Sequence, residues 1–225
     1  MTVLIPFASL EPSPWKNGGG ITTEIAVSPP EAAFDEFDWR ISLATITQDG
    51  PFSVFPGIDR TLALIEGAGT NLDFDGERRF FLCEEDPVVE FPGESSVTAT
   101  VANGGTTDFN VMTRRSRCHH RLGLRKLDGI SEFAPRGDVT ILFLADGESL
   151  SVCSDSERIG MVRFDAVVFD TDTIWQLEAG LATVLVGEDQ AVENRVISLP
   201  QGLTPSARVE AANYLNAHIR GYTMA

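Results

Sequence analysis

Apolar and polar residues alternate along most of this chain, and a pattern of period two predicts β-strands. The alternation is clearest over residues 21–27, where one face carries Ile21, Thr23, Ile25 and Val27. Residues 61–65 are almost continuously apolar, which is typical of a strand buried on both faces. An Asp-Gly pair at positions 75 and 76 predicts a hairpin that joins residues 72–74 to residues 79–82. The sequence therefore predicts many short strands.

Three predicted strands combine an apolar face with an unusually polar one. In the segment 37–43 the apolar face consists of Phe37, Trp39, Ile41 and Leu43. Its opposite face carries Arg40 and Ser42. The polar faces of the other two strands carry Thr22 with Glu24, and Asp108 with Asn110, Met112 and Arg114. If these faces point into a barrel, they enclose groups that suit a small carboxylate or amide; if they point outward, they are ordinary solvated faces.

A glycine-rich segment precedes the first of these strands. It joins Trp15, Lys16 and Asn17 to three consecutive glycines, which permit positive φ and a close approach of neighbouring atoms. Two interpretations stay open: a tight turn anchored by Trp15, or a ligand site that uses Lys16 and Asn17. The segment is not a phosphate-binding P-loop, because the lysine precedes the glycines, and its spacing does not fit a dinucleotide motif.

The strand pattern restarts after Pro135 and resembles its first occurrence. Residues 64–72 and 142–150 each combine an apolar strand, a glycine turn and a second strand, which suggests one β unit used twice. Only the carboxyl terminus predicts a helix, with Thr204 as its cap and Pro205 in its first turn. Its apolar positions are Val209, Ala212, Leu215 and Ile219. Together these patterns predict an all-β barrel or sandwich with a short carboxyl-terminal helix.

The composition narrows the classes of partner. The chain has 225 residues and a net charge of −16, which argues against nucleic acid and anionic membranes as partners. An anionic ligand would then need a few locally placed arginines. We expect a soluble cytoplasmic protein, because no signal peptide or long apolar segment is present. Three separated cysteines, Cys83, Cys118 and Cys153, predict reduced thiols.

The sequence gives little support for a metal site or for a Ser-His-Asp catalytic triad. His119 and His120 are adjacent and would point to opposite faces of a strand, and His218 lies in the predicted helix, so we expect no metal and no cofactor. The Gly-x-Ser-x-Gly motif is absent, and we assign no catalytic residue. Lys16 with Glu24 or Asp108 would form an acid/base pair only if the fold joins them. The basic run 114–121 is typical of a solvated segment.

Four segments in order resemble the HutD/Ves family: residues 15–25, 37–44, 50–60 and 108–112. The resemblance covers about Pro6 to Gly187. It implies a two-cupin (bicupin) β-barrel with cupin-like units at 1–120 and 121–225, which exchange strands and form one compact molecule. It also implies a role around bacterial histidine utilisation, as a regulator of the pathway rather than a degradative enzyme, with N-formyl-L-glutamate or a related intermediate as ligand.

The same resemblance implies which residues line the pocket: Lys16, Asn17, Thr22, Glu24, Arg40, Ser42, Arg60, Asp108, Asn110 and Arg114. Two other functions stay open. One is a metal-independent isomerase, lyase or amidohydrolase that uses Lys16 and Glu24. The other is an interaction module whose acidic surface binds a basic protein. We expect a small carboxylate as partner, no nucleic acid and no membrane, and a homodimer formed through exposed sheet edges.

Overall fold

The computed structural model describes residues 2–33, 36–169 and 173–191. Its elements in chain order are β1 (Thr2–Ile5), a 3-10 helix (Phe7–Ser9), β2 (Pro12–Pro14), β3 (Gly20–Ser28), β4 (Trp39–Ile46), β5 (Gly50–Pro51), β6 (Ile58–Glu66), β7 (Thr70–Phe74), β8 (Arg78–Leu82), β9 (Val88–Pro92), β10 (Val97–Val101), β11 (Thr106–Arg114), β12 (Cys118–Phe133), β13 (Val139–Asp146), β14 (Ser149–Cys153), β15 (Arg158–Val162), β16 (Ala166–Phe169) and β17 (Trp175–Ala191). The helix predicted from Thr204 lies outside the described residues. The described residues include no helix with the length and apolar character that a membrane span requires.

The strands pair antiparallel in three sheets. The first sheet has the order β2-β3-β4-β11-β6-β9, and the second has the order β5-β10-β7-β8. The third has the order β1-β16-β13-β17-β14-β15, with β12 also paired to β17. Strand β1 therefore leaves the amino-terminal half of the chain and pairs with β16 of the carboxyl-terminal half. The division at residue 120 and the homodimer stay predictions.

The first and second sheets enclose the amino-terminal barrel. Its apolar interior combines Leu62 and Phe91 of the first sheet with Leu72, Phe74 and Val97 of the second. An alternating strand has two faces, so a strand between two layers buries both of them. The opposite face of the first sheet packs against the third sheet. The all-β architecture is a nearly closed barrel, as the sequence predicted.

Aromatic and aliphatic residues join the first sheet to the third. Phe109 on β11 contacts Phe143 on β13, with ring centroids 4.7 Å apart. The same cluster contains Ile41 and Leu43 on β4, together with Leu185 on β17. Fully burying one such side chain contributes about 1.5–3 kcal/mol, so this apolar layer is a main source of stability for the first sheet.

The predicted alternation is wrong at two places in the first sheet. A β-bulge after Glu24 brings Ala26 opposite Ile41, so Val27 lies on the face of Arg40. A bulge adds one unpaired residue and thereby exchanges the two faces beyond it. Phe37 also departs from the prediction, since β4 begins only at Trp39. Its ring is fully buried in a separate cluster that contains Phe55, Ile58 and Met112.

Three predicted glycine turns form as expected. Asp75 and Gly76 join β7 to β8 with φ angles of 55° and 74°, which a tight hairpin turn requires at both positions. The aligned glycines of the internal repeat, Gly69 and Gly147, have φ angles of 116° and 119°. A Cβ atom at these positions would lie 2.6 Å from the carbonyl of Leu82 and 2.8 Å from Ala182 Cβ, respectively. The repeat therefore uses glycine for the same purpose twice.

Candidate functional site

Most of the residues assigned to a pocket lie on one face of the first sheet. The strand register aligns them in three rows: Thr22–Ala44–Asp108, Glu24–Ser42–Asn110, and Arg40–Met112–Arg60. The same face carries Leu62, Val89 and Phe91, which pack against the second sheet. It is therefore the inner face of the amino-terminal barrel, which favours the inward of the two orientations that the sequence left open.

Arg60 on β6 is buried inside this barrel, with 8% of its surface exposed. Three phenylalanine rings surround its guanidinium carbon: Phe52 at 5.4 Å, Phe55 at 5.5 Å and Phe91 at 5.0 Å. Its Nη2 donates to Asn110 Oδ1 at 3.4 Å and its Nη1 donates to the carbonyl of Ser53 at 3.4 Å. Both hydrogen bonds are long, because N–H···O bonds in proteins are usually about 2.9–3.0 Å.

The Arg60 guanidinium is incompletely paired. Its Nε has no hydrogen-bond partner, and no carboxylate among the described residues forms an ion pair with it. Burial, and secondarily the positive charge of Arg40, lower the pKa of Arg60 to about 10. The group still carries its charge at neutral pH, since that pKa is well above 7. A buried cation without a counterion is costly, and this arrangement favours binding of an anion.

Arg40 and Glu24 form a short ion pair at the edge of the same face. Arg40 Nε lies 2.7 Å from Glu24 Oε2, and the side chains are 13% and 44% exposed. Arg40 is near enough to Arg60 to affect its pKa. The two arginines therefore differ: Arg40 pairs with a carboxylate near solvent, whereas Arg60 is deeper and has no carboxylate partner in the described part of the chain.

Asp108 lies two rows away from Arg60 and is 1% exposed. Its Oδ2 accepts a hydrogen bond from Thr106 Oγ1 at 3.4 Å, and the Thr106 hydroxyl lies 3.0 Å from that of Thr70. Its Oδ1 has no partner. Burial raises the pKa of Asp108 to about 7, against the smaller opposing effect of the Thr106 hydrogen bond. The inner face thus holds a cation at one position and, at another, an acid whose pKa burial raises to about 7.

The glycine-rich segment is a turn between β2 and β3. Trp15 N donates to the carbonyl of Gly20 at 2.9 Å, and Trp15 Nε1 donates to Thr22 Oγ1 at 2.7 Å. A Cβ atom on Gly20 would lie 2.5 Å from the carbonyl of Thr45, so this position requires glycine. Lys16 and Asn17 are exposed at the turn rather than placed with the two arginines. The structure therefore favours the turn interpretation.

The acid/base pair of Lys16 with Glu24 does not form, since the ion pair of Glu24 is with Arg40.

Arg114 lies at the far end of the inner face and donates from Nε to the carbonyl of Phe37 at 2.9 Å. In the basic run 114–121, Arg115 forms an ion pair with Asp59, with an N···O distance of 2.7 Å. Within this run, Arg115 and Arg117 are exposed as expected for a solvated segment, whereas Cys118 is buried and Arg114 and His120 are partly buried.

His120, on β12 of the third sheet, lies against the opposite face of the first sheet. Its Nε2 lies 2.7 Å from Thr61 Oγ1 and its Nδ1 lies 2.8 Å from Thr113 Oγ1. Burial lowers the pKa of His120 to about 4, although the charge of Asp59 acts in the opposite direction. The cavity beside this ring measures about 20 Å³, far below the hundreds of Å³ of typical ligand pockets. Both ring nitrogens have hydroxyl partners, and this cavity is too small for an organic ligand.

Cysteine and metal chemistry add nothing to the site. The three cysteines are free thiols. Within the part of the chain that the structure describes, no group of three or more His, Cys, Asp or Glu side chains is placed to hold a metal ion.

Sequence reasoning missed several residues around Arg60 and Asp108. They are Phe52, Ser53, Phe55 and Phe91 around the guanidinium, and Thr70 and Thr106 beside the carboxyl. Phe52 and Phe55 lie in one of the four segments that carry the resemblance, which was an available signal. Ser53 lies in the same segment. Phe91 comes from β9, which pairs with β6, Thr70 comes from β7 of the second sheet, and Thr106 begins β11; no local pattern predicts that these residues meet.

A comparison with family models finds that the HutD model matches residues 8–186, well over half of the chain. A second model, the HrcA protein C terminal domain, matches residues 173–225, which is too small a share of the chain to assign a family. Protein Ves from Citrobacter koseri is 37% identical over 129 residues, which are 57% of this chain and 65% of that protein. The chain thus spans just under two thirds of that relative's length.

A second relative is an uncharacterized 21.2 kDa protein in the hutC 3′ region of Pseudomonas putida. It is 37% identical over 150 residues, which are 66% of this chain and 77% of that protein. Among solved structures, HutD from Pseudomonas fluorescens SBW25 has a TM-score of 0.71 and 27% identity, and the match covers 85% of this chain and all of that one. A conserved protein of unknown function from Pseudomonas aeruginosa PAO1 has a TM-score of 0.78 and 27% identity over 84% of this chain and 99% of its own.

More distant structures show the fold alone. Ylba from Escherichia coli has a TM-score of 0.63 at 12% identity, covering 84% of this chain and 90% of its own. The mannose 6-phosphate isomerase from Bacillus subtilis has a TM-score of 0.53 at 10% identity, covering 70% of this chain and 77% of its own. Their folds are cupin-like, as expected from the resemblance, whereas the two-cupin arrangement stays a prediction.

Proposed function

This chain belongs to the HutD family, and we propose that it binds a small carboxylate of histidine catabolism inside its amino-terminal barrel and thereby modulates histidine utilisation. The family is associated with a histidine utilisation locus, which the hutC-region relative and the HutD structure both indicate by name. This context supports an intermediate of that pathway as the ligand. The inner face of the barrel supports the chemistry.

Arg60 is the observation that carries the proposal. A planar guanidinium binds a carboxylate through two parallel hydrogen bonds, and such charge-assisted bonds are about twice as strong as neutral ones. In this barrel the Nε of Arg60 is unpartnered and its Nη bonds are long, so the edge of the guanidinium has donors to offer. A bound carboxylate would supply the missing counterion.

The surroundings of Arg60 restrict the ligand further. Arg40 offers a second cation, which suits a second carboxylate, although it already contacts Glu24. Asn110 and Ser42 lie in the row between the arginines and Thr22, and they offer amide and hydroxyl groups for directional hydrogen bonds. An acylated amino acid with two carboxylates, such as N-formyl-L-glutamate, has matching groups.

Modulation would follow from sequestration of the intermediate or from a protein partner. Direct DNA binding is disfavoured, because a net charge of −16 repels phosphate. Binding would depend on the local potential of the two arginines against the field of the whole protein.

Isothermal titration of metal-stripped protein with N-formyl-L-glutamate tests the proposal, with L-glutamate, urocanate and L-histidine as comparison ligands. We expect selective, saturable binding. Arg60→Met should weaken it at least about tenfold, because a hydrogen bond to a charged group contributes about 1.5–3 kcal/mol. Arg79→Ala is the matched control, since Arg79 is an 84% exposed arginine paired with Asp73 on the second sheet.

Two results would contradict the proposal. One is the absence of heat with every ligand at saturating concentration. The other is unchanged affinity in an Arg60→Met protein that circular dichroism shows to be folded, which would place the ligand elsewhere.

A further inference from the structure

Asp108, like Arg60, has one buried polar atom without a hydrogen-bond partner among the described residues. Its carboxyl is almost completely buried, and Oδ1 makes no hydrogen bond. Buried polar atoms in native proteins are nearly always satisfied, so an orphaned oxygen calls for an explanation. It lies on the same inner face as Arg60.

The hydroxyls beside Asp108 hold only one of its two oxygens. Thr106 donates to Oδ2, and Thr106 in turn lies 3.0 Å from the hydroxyl of Thr70 on β7. Both threonines are fully buried. This chain of hydroxyls restricts the orientation of the carboxyl and leaves Oδ1 available to another molecule.

Asp108 is also close to the candidate anion site. It precedes Asn110 by two residues on the same face of β11, and such residues are about 7 Å apart along a strand. Asn110 in turn accepts a hydrogen bond from Arg60 Nη2. A ligand of a few carbon atoms held at Arg60 would therefore extend along β11 to Asp108.

We propose that Asp108 is the second anchor of the bound anion: its carboxyl, in the neutral form, donates its O–H to a ligand carbonyl or carboxylate oxygen while Arg60 binds a ligand carboxylate. This inference rests on the proposed function and adds a proton requirement to it. The proton stays on Asp108, so the contact is a hydrogen bond and not a proton transfer. The ligand class is a small anion with a second oxygen acceptor.

The neighbours of Asp108 explain why the neutral form is available. Its partners by register are Ala44 on β4 and Leu64 on β6, which carry no charge. Across the barrel, β7 contributes Thr70 through Thr106.

The charged residues on the same face are Arg60 on β6, Arg40 on β4, Glu24 on β3 and Arg114 at the far end of β11, and none of them is among the causes of the raised pKa of Asp108. Burial is the main cause, and the pKa of about 7 makes the neutral acid common at neutral pH.

The sign of the pH dependence follows directly. If only protonated Asp108 binds the ligand, affinity is constant well below pH 7 and falls about tenfold for each pH unit well above it. Over that range the ligand carboxylates remain ionised and Arg60 remains charged, so neither contributes to the change. Binding above pH 7 should also take up as much as one proton.

The test is titration calorimetry with N-formyl-L-glutamate between about pH 6 and about pH 8.5, the range in which a group of pKa near 7 changes its charge. Wild type should lose affinity about tenfold per pH unit at the alkaline end. Asp108→Asn should keep the acid-side affinity at every pH, because its amide N–H still donates but does not titrate. Repeating the titration in two buffers of different ionisation enthalpy should show proton uptake in wild type and none in Asp108→Asn.

Asp73→Asn on β7 is the matched control, since Asp73 pairs with surface Arg79 and should leave the pH profile unchanged. A flat pH profile in wild type, or the same slope in wild type and Asp108→Asn, would overturn the proton-donor role while leaving anion binding at Arg60 intact. Loss of binding by Asp108→Asn at every pH would also overturn it, because it would mean that an ionised carboxylate accepts from the ligand. Failure of wild type to bind at any pH would overturn both proposals.

Discussion

The two faces of the first sheet are both buried, but they bury different chemistry. The face against the third sheet packs rings and aliphatic chains, and His120 of the third sheet, which lies against it, has a hydroxyl within hydrogen-bond distance of each ring nitrogen. The face inside the amino-terminal barrel holds Arg60 and Asp108, and each of them retains an unpartnered atom.

This difference distinguishes the face that stabilises the fold from the face that is available to bind a ligand. Satisfied polar groups and apolar contacts stabilise the fold, whereas an unsatisfied buried polar group typically costs about 1–3 kcal/mol. The apolar face therefore explains why the sheet is stable. The inner face carries a cost that stability does not explain and that a bound anion would offset.

The largest effect should come from the apolar face. Phe143→Ala removes a fully buried ring that contacts Phe109, and large-to-small changes of this kind cost about 3–5 kcal/mol. Urea unfolding monitored by fluorescence measures the loss. Val162→Ala, at a position that is 60% exposed, serves as the control. A loss below about 1 kcal/mol for Phe143→Ala would mean that this layer is not the main source of stability.

A change on the inner face should have the opposite sign. Burial raises the folded-state pKa of Asp108 from 3.8 to about 7, so an unfolded chain releases this proton first and stability falls as pH rises between those values. Asp108→Asn should therefore stabilise the protein at about pH 8, by on the order of 2–4 kcal/mol, because one pKa unit corresponds to about 1.4 kcal/mol. The gain should vanish near pH 4. Thermal unfolding across this range measures it, and equal stabilisation at both extremes would contradict it.

The histidine on the other face should act in the reverse direction. Because burial lowers the folded-state pKa of His120 from 6.5 to about 4, its contribution to stability is present above 6.5 and is lost as pH falls through this window. In an Asp108→Asn protein, lowering the pH from 6.5 to about 4 should reduce the free energy of unfolding by about 1–3 kcal/mol through protonation of His120. Adding His120→Gln should remove that slope. An unchanged slope in the double variant would assign it to another residue.

The smallest effect should come from outside both faces. Arg79 is 84% exposed and pairs with Asp73 across a surface hairpin. Exposed ion pairs typically contribute about 0–1 kcal/mol. Arg79→Ala should therefore change the free energy of unfolding by less than about 1 kcal/mol in denaturant titration. A larger loss of unfolding free energy would show that surface ion pairs stabilise this acidic protein more than the contrast between the two buried faces implies.

Particular residues show how far sequence reasoning reached. The polar side chains of Arg40, Ser42 and Asn110 were predicted to share a face with their neighbours, and the strand register places them in adjoining rows. Val27 was assigned to the wrong face, because a bulge after Glu24 shifts the register and no local pattern marks it. Phe37 was assigned to the same strand face as Trp39, but β4 begins only at Trp39, so Phe37 is not part of that strand.

The site was harder to predict than the fold. Arg60 entered only through the family resemblance, since its strand looked apolar from Thr61 onward. Its importance depends on Phe91 from β9 and Asn110 from β11, which reach it only through strand pairing. The glycine-rich segment, by contrast, left a turn and a ligand site open in the sequence, and the structure favours the turn around Trp15.

The sequence by itself determined the strand content, the polar faces and the acidic balance of the protein, because alternation, turn residues and charge are local or additive properties. Only the tertiary structure decided that Arg60 has no carboxylate partner among the described residues, that burial raises the pKa of Asp108 to about 7 and that both ring nitrogens of His120 have hydroxyl partners. Those properties depend on burial and on partners distant along the chain, since the free energy of a charge is set by the atoms and solvent around it.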